Sequence, residues 1–274
     1  MSWGWVRGEK WQVDGRANRI RFAGGDATRY EPAAEPYLLR DAASVGRLDL
    51  MARGGPHAVA GTPVSAEVAH ALEGFFAAYG QPLVQTDEES QHPFDVDLDI
   101  WRTGLAHVSA AWEVHKALVS TKREPLAALG AERTHSRFTV FKYSLDIRNL
   151  DTRFSARVGR RGMLNVWLSK LMWDMWDLPG VQPPARYPYP DPMNEHMFTL
   201  ELRHRSLLGF IVDRMVGLVA EKGQVRVCEH PLCARDFVLR GRSDQKHCDS
   251  NCANAHRVYR LRHKATTEST KEQE

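Results

Sequence analysis

All four cysteines of this chain fall within a stretch of twenty-five residues, in the pattern Cys228-x4-Cys233 and Cys248-x3-Cys252. Fourteen residues separate the two pairs. A short spacing lets one tight turn present two sulfurs to one metal ion, and a second pair completes a tetrahedral shell. The spacing therefore predicts a four-cysteine site that holds one structural zinc ion and leaves no coordination position for a substrate.

Two other arrangements of these residues are chemically reasonable. Two disulfides would suit an exported protein, but the start Met-Ser-Trp-Gly-Trp-Val-Arg lacks the apolar run of a signal peptide. No stretch approaches the roughly eighteen apolar residues of a membrane span either, so we expect a cytoplasmic, reduced chain with no membrane partner. His230 or His247 could also replace one cysteine, although solvated polar residues of a zinc knuckle are the simpler interpretation of both.

Positive charge is concentrated around the cysteines. Residues 222–264 contain ten Lys or Arg and four acidic residues, a net of +6, whereas residues 1–221 carry a net of −1. The net charge of +3 for the whole chain hides this asymmetry. A local basic patch is the electrostatic footprint of a surface that meets phosphates.

A basic helix is predicted directly after the last cysteine pair. Asp249 and Ser250 are favourable helix caps, and no Gly or Pro interrupts the run from Cys252 to Lys264. At the helical period, Val258 and Leu261 share a face with Ala265 that we expect to pack on the knuckle. The predicted nucleic-acid contacts are Arg240, Arg242, Lys246, Asn254, His256, Arg257, Arg260, Arg262 and Lys264.

Among these residues, Asn254 and His256 are the candidates to contact base edges, because they lie near the start of the helix. The Lys and Arg side chains are the candidates to contact phosphates. A solvated basic face that complements the helix dipole is the alternative.

The order of residue types through this segment is a cysteine pair, an aromatic residue, a loop with Arg and Ser, a second cysteine pair and a basic run. It is made by Cys228-Glu-His-Pro-Leu-Cys233, Phe237, Arg240, Ser243 and Lys246-His-Cys248-Asp-Ser-Asn-Cys252-Ala-Asn254. Residues 196–264 thereby resemble the CGNR-type zinc finger of bacterial proteins, with Cys252-Ala-Asn-Ala at the signature tetrad. The resemblance implies a treble-clef-like finger and DNA binding by a transcriptional regulator.

The whole chain is predicted to be α+β. We expect a mainly helical N-terminal domain over residues 1–195, with a strand ribbon in the first thirty residues, a loop with at most one short helical turn over residues 40–63, and a strand pair or one irregular strand near residues 137–149. Helices are predicted over residues 65–79, 97–120 and 163–178, the last of them buried. The remaining segments are a Pro-rich linker at 179–192, a connecting helix within 196–222, the finger at 223–264 and a disordered tail at 265–274.

The sequence favours a DNA-binding regulator over an enzyme. It contains no glycine-rich phosphate loop, no Gly-x-Ser-x-Gly elbow and no His-Glu-x-x-His motif. His107 and His115 are expected to be hydrogen-bonded structural residues. An RNA-binding protein and a protein-docking module are the alternatives, and the N-terminal domain could bind a small-molecule effector or form a homodimer.

Overall fold

The structure is a computed structural model. It describes residues 5–7, 10–24, 28–30, 37–82, 95–120, 129–134, 136–147, 160–178, 181, 185–190, 198–203, 206–221, 223–233, 235–239 and 244–271. The described part is mixed α+β and mainly helical, which confirms the predicted class. None of its helices is both long and apolar enough to cross a bilayer.

The described helices are α1 (Leu38–Arg53), α2 (Ala66–Tyr79), α3 (Leu98–Val119), α4 (Arg160–Trp176), α5 (Leu207–Ala220) and α6 (Ser250–Lys271), with a 3-10 turn at Pro56–Ala58. The strands are β1 (Trp5–Arg7), β2 (Lys10–Asp14), β3 (Arg19–Gly24), β4 (Thr28–Tyr30), β5 (Gln81–Pro82), β6 (Asp95–Asp97), β7 (Glu132–Arg133), β8 (Arg137–Val140), β9 (Tyr143–Asp146), β10 (Ala185–Pro190), β11 (Phe198–Arg203), β12 (Val225–Val227) and β13 (Asp236–Val238).

Helix α3 runs through the centre of the core. Its start is capped by Asp97, whose side chain accepts a hydrogen bond of 3.0 Å from the Ile100 N–H. Helices α1, α4 and α5 pack around it, and Trp101 and Trp112 on α3 are both buried. Burial of a large apolar side chain contributes about 1.5–3 kcal/mol, and α3 carries many of them. The predicted bounds of α2 and α3 are confirmed, including the Ser65 cap and the end of α2 at Gly80.

The N-terminal strands form two small sheets. β2 and β3 form an antiparallel hairpin to which β6 adds a third strand, and β1 lies between β4 and β5. β7, β8 and β9 form an antiparallel meander. The predicted ribbon and the predicted strand pair near residues 137–149 are therefore confirmed.

The prediction of a loop over residues 40–63 is wrong, because α1 occupies Leu38–Arg53. The Ala and Gly residues that suggested a loop instead allow α1 to cross α3 closely. A Cβ built on Gly46 would overlap the carbonyl oxygen of Leu105 in α3. Small residues at a helix crossing are a tertiary requirement, and composition alone does not distinguish them from loop residues.

Gly46 provides a direct test of this crossing. We expect Gly46→Ala to lower the free energy of unfolding by about 1–3 kcal/mol or more, because the added methyl group meets rigid backbone. Gly74→Ala in α2 is the matched control, since no atom lies within 4 Å of a Cβ there. That change should be neutral or stabilise by up to about 1 kcal/mol. Urea unfolding measures both, and equal midpoints for the two variants would contradict the close crossing.

Three predictions for the second half of the chain require correction. The Pro-rich segment contains strand β10, which pairs with β11 although it includes Pro188 and Pro190. Proline has no backbone N–H to donate to a neighbouring strand. It is tolerated here because both strands of a two-stranded sheet are edge strands, and half of their backbone groups face away from the partner strand. The connecting helix is shorter than expected, since β11 precedes α5, which begins at Leu207 after the Ser206 cap. Helix α6 continues to Lys271 through part of the segment expected to be disordered.

Helix α4 was expected to be buried, but only one of its sides is, and Asn165, Ser169 and Trp173 are exposed. Trp167 is fully buried, and its indole N–H donates to the backbone oxygen of Tyr143 at 2.9 Å. Trp173 is 73% exposed. The near-uniform apolar character of this segment did not reveal which side faces solvent.

Candidate metal centre

The four cysteines come together at the junction of the β12–β13 hairpin and helix α6. Their four sulfur atoms lie within 4.8 Å of one another, and the Cys233 and Cys248 sulfurs are 3.8 Å apart. A tetrahedral ion with metal–sulfur bonds of about 2.3 Å requires sulfur–sulfur distances of about 3.8 Å. A disulfide requires about 2.05 Å, and all four thiols are free. The residues therefore fit one metal ion in a closed four-sulfur shell.

Backbone hydrogen bonds shape the two turns that carry the sulfurs. Cys228 donates its N–H to the Arg235 oxygen at 2.8 Å, and Cys233 donates to the His230 oxygen at 2.9 Å. Glu229 donates to the Lys246 oxygen at 2.9 Å, which joins the first turn to the second. The site is thus held by local backbone geometry in addition to the sulfurs.

Asp249 caps helix α6, as the sequence predicted. Its carboxylate accepts a hydrogen bond of 2.7 Å from the Cys252 N–H, and this bond holds the pKa of the carboxyl group below its ordinary value. The same side chain accepts a hydrogen bond of 3.3 Å from the Tyr37 hydroxyl, at the start of α1. One residue therefore orients the fourth sulfur, begins the basic helix and contacts the N-terminal domain.

The crowded sulfurs require a cation if all are to ionise. Burial, followed by the neighbouring Cys252 and Cys233 thiols, raises the pKa of the Cys248 thiol well above its ordinary value. A second negative charge so close is costly in a partly dry site. A bound divalent cation reverses this balance and stabilises the thiolate form.

The histidines beside the cysteines do not have the solvated positions that we expected. His230 is only 7% exposed and packs against the rings of His256 and Tyr259. His247 Nε2 and His256 Nδ1 lie 2.7 Å apart and share a hydrogen bond. The histidines therefore fill the space between the first turn and helix α6, and the group of ligand atoms consists of cysteine sulfurs alone.

The expected orientation of helix α6 is wrong. Val258 is 47% and Leu261 65% exposed, so the face predicted to pack on the knuckle points outward. The partly buried side instead carries Cys252, His256 and Tyr259. The rings of His256 and Tyr259 pack with His230 on this side, and a hydrophobicity pattern does not predict that polar aromatic residues will be the partly buried ones.

This orientation of α6 exposes some of the predicted nucleic-acid-binding residues and turns His256 toward the knuckle. Asn254, Arg257 and Arg260 are exposed, whereas His256 turns toward the knuckle, away from the position expected of a base contact. Lys246 is exposed and pairs with Glu229 at 3.6 Å. Arg262 and Lys264 lie on helix α6, and Arg240 and Arg242 lie outside the described residues.

The finger docks on helix α3 through contacts that the sequence did not predict. Asp236 of β13 accepts hydrogen bonds from Trp112 Nε1 at 3.3 Å and from Lys116 Nζ at 2.8 Å. His115 Nε2 donates to the Gly223 oxygen at 2.7 Å. Trp112, His115 and Lys116 are spaced i, i+3, i+4, which places them on one face of α3. That spacing was visible in the sequence, but no nearby residue indicated that the finger would pack against this face.

No family model, no curated protein and no solved structure matches this chain.

Proposed function

We propose that this protein is a DNA-binding transcriptional regulator in which a zinc ion at the four cysteines positions helix α6 against the duplex. The exposed basic side of α6 carries this proposal. Arg257 and Arg260 point away from the knuckle, directly after a cap and a ligand that orient the helix. The module has a net charge of +6 over residues 222–264, whereas the preceding chain is nearly neutral.

Zinc is the metal that the donor set favours. Four thiolates are soft ligands, and a tetrahedral four-sulfur shell suits zinc better than calcium or magnesium, which prefer oxygen. With four protein ligands the ion would stabilise the fold and take no part in chemistry. The residues that would hold it are Cys228, Cys233, Cys248 and Cys252.

Duplex DNA is favoured over RNA by the element that presents the charge. Helix α6 has 22 residues, a length of about 33 Å. The major groove of B-form DNA admits an α-helix, whereas that of A-form RNA is too deep and narrow. The resemblance to the CGNR-type finger supports the same partner.

Salt dependence tests the proposal with the full-length protein. If Arg257, Arg260, Arg262 and Lys264 each neutralise a phosphate, the logarithm of the affinity should fall with log salt at a slope of about −3.6. Arg257→Glu with Arg260→Glu should flatten that slope by about 1.8 and weaken binding severalfold at low salt. Electrophoretic or fluorescence titrations with duplex DNA, and with duplex RNA of the same sequence, measure both quantities.

The matched control reverses two other exposed arginines, Arg133 and Arg137 of strands β7 and β8. This variant has the same net charge and should bind DNA as the unmodified protein does. A flat salt response, or equal losses for the two double variants, would refute DNA binding through α6.

A protein-docking role is the second candidate. Of the large apolar side chains that are exposed in the described part of the chain, four lie in the finger: Val227, Leu232, Val258 and Leu261. A contiguous exposed apolar patch marks an interaction surface, and in this second candidate function the four side chains contribute to one. A docking module would keep its partner after the charge reversal and lose it after Val258→Ser with Leu261→Ser.

A further inference from the structure

A histidine in the centre of α3 has a buried nitrogen with no partner. His107 is 0% exposed, and its Nδ1 lies 2.7 Å from the Thr103 backbone oxygen. A carbonyl oxygen only accepts hydrogen bonds, so Nδ1 must carry the proton and Nε2 must be a bare acceptor. Among the described residues nothing donates to Nε2. An unsatisfied buried acceptor costs about 1–3 kcal/mol, so its retention indicates an external donor.

A second unpartnered atom lies one helical turn away. The Thr103 hydroxyl is buried and has no hydrogen-bond partner within the described residues. Residues four apart lie on the same face of a helix. Two polar atoms without partners therefore share one face of α3. Burial lowers the pKa of His107 to about 4, so the ring is neutral at pH 7.

Aromatic rings and a carboxylate surround this face. The exposed ring of His57 lies edge-on to His107 at 4.6 Å and stacks on Tyr143 at 5.0 Å. The Tyr143 hydroxyl donates to the Asp174 carboxylate, which also pairs with Lys170. The Asp174 side chain is 22% exposed, so the cluster reaches the surface at His57 and Asp174.

Unusual backbone holds these groups together. Phe141 and Lys142 form the β8–β9 turn with φ of 49° and 54°, a conformation that bulky residues rarely adopt. Gly54 and Gly55 let the end of α1 reach this turn, since a Cβ on Gly54 would lie 2.6 Å from Lys142 Cε. His57 lies two residues after Gly55. A two-residue hairpin turn of this kind requires positive φ at both of its central residues, and this turn places Tyr143 directly after it.

We propose that the cluster of His57, Thr103, His107, Tyr143 and Asp174 binds a small organic cation, a protonated amine. Nε2 of His107 only accepts, the Thr103 hydroxyl can accept, and the Asp174 carboxylate has lone pairs beyond those that Tyr143 and Lys170 use, so the ligand must supply donors. Nε2 of His107 and the Asp174 carboxylate would accept from an ammonium group, while the faces of Tyr143 and His57 favour a positive charge. The site is independent of the proposed DNA binding, and it gives the expected effector of the N-terminal domain a chemical class.

A metal ion is the less suitable occupant. Among the described residues only the four cysteines bring three or more ligand atoms within 4.8 Å of one another. His57, His107 and Asp174 therefore do not form a compact three-ligand metal site. Lys170 already places an ammonium group on Asp174, which shows that the carboxylate accepts such a charge.

The test uses full-length protein with benzylamine and its neutral analogue benzyl alcohol as probes. Saturating benzylamine should raise the melting temperature by about 3–8 °C, and the alcohol should bind at least about tenfold more weakly. Asp174→Asn and His107→Phe should each weaken amine binding by about tenfold or more. Lys170→Met should strengthen it, because the competing internal cation is removed.

Asp177→Asn is the matched control, since this exposed residue near the end of α4 carries the same charge but does not belong to the cluster. It should bind the amine unchanged. Equal responses to the amine and the alcohol, or amine binding that survives Asp174→Asn, would overturn the proposal. Weaker binding after Lys170→Met would also overturn it, and this outcome can be read even if His107→Phe does not fold.

Discussion

Removal of the proposed zinc ion is expected to unfold the finger and leave the rest of the protein folded. The apparent free energy of zinc binding by small four-ligand sites is about 10–16 kcal/mol, and in such modules it is the free energy of folding. The β12–β13 hairpin has only three residues in each strand, and Phe237 is its main buried side chain. Without the ion, this small core cannot offset the entropy of ordering the chain.

Chelation and Cys228→Ser should have the same effect on the full-length protein. Elemental analysis should find one zinc per chain before chelation and none after it. Hydrogen exchange should then become fast across residues 223–264, while the buried amides of α3 remain protected. Readdition of zinc should restore protection, and magnesium should not. A chain that carries no stoichiometric metal, or whose exchange ignores the chelator, would contradict the zinc site.

Loss of Arg102 should be the most destabilising change in the N-terminal domain. Its side chain is 1% exposed and forms a bidentate pair with Asp49, with distances of 2.9 Å from Nε and 2.8 Å from Nη2. Nη1 also donates to the Thr62 oxygen at 2.6 Å. Arg102→Met should lower the free energy of unfolding by about 3–5 kcal/mol, because it leaves a buried carboxylate without a partner.

A double variant identifies the cause of that loss. Arg102→Met with Asp49→Leu should recover most of the stability in urea unfolding, since apolar replacement of a whole buried ion pair is often neutral. Arg47→Met is the control for a pair near the surface. Arg47 is 53% exposed beside Glu113, so its loss should cost at most about 1 kcal/mol. If the double variant is no more stable than Arg102→Met, the unpaired charge is not the cause.

Helix α2 and the helix caps show how far local signals reach. The Ser65 cap, the apolar spacing of Val68, Leu72 and Phe75, and Gly80 at the end were all visible in the sequence, and each acts within a few residues. Helix α1 was missed because its small residues serve a crossing with α3. Strand β10 was missed because its pairing with β11 outweighs its prolines.

The candidate sites divide in the same way. The cysteine spacing predicted the group of sulfurs that the structure brings together, because two short turns determine most of that geometry. The cluster around His107 could not be predicted, since its members come from the 3-10 turn, α3, β9 and α4.

The sequence by itself determined the group of four cysteines that could hold a metal ion, the concentration of positive charge, and the helices whose caps and periodicity lie within a few residues. Only the tertiary structure decided which face of α6 points outward, where the finger docks on α3, and that His57, His107 and Asp174 meet. The physical reason is the separation along the chain over which each interaction acts. Caps, turns and ligand spacings act between neighbours along the chain, whereas burial and pairing depend on which distant element packs opposite.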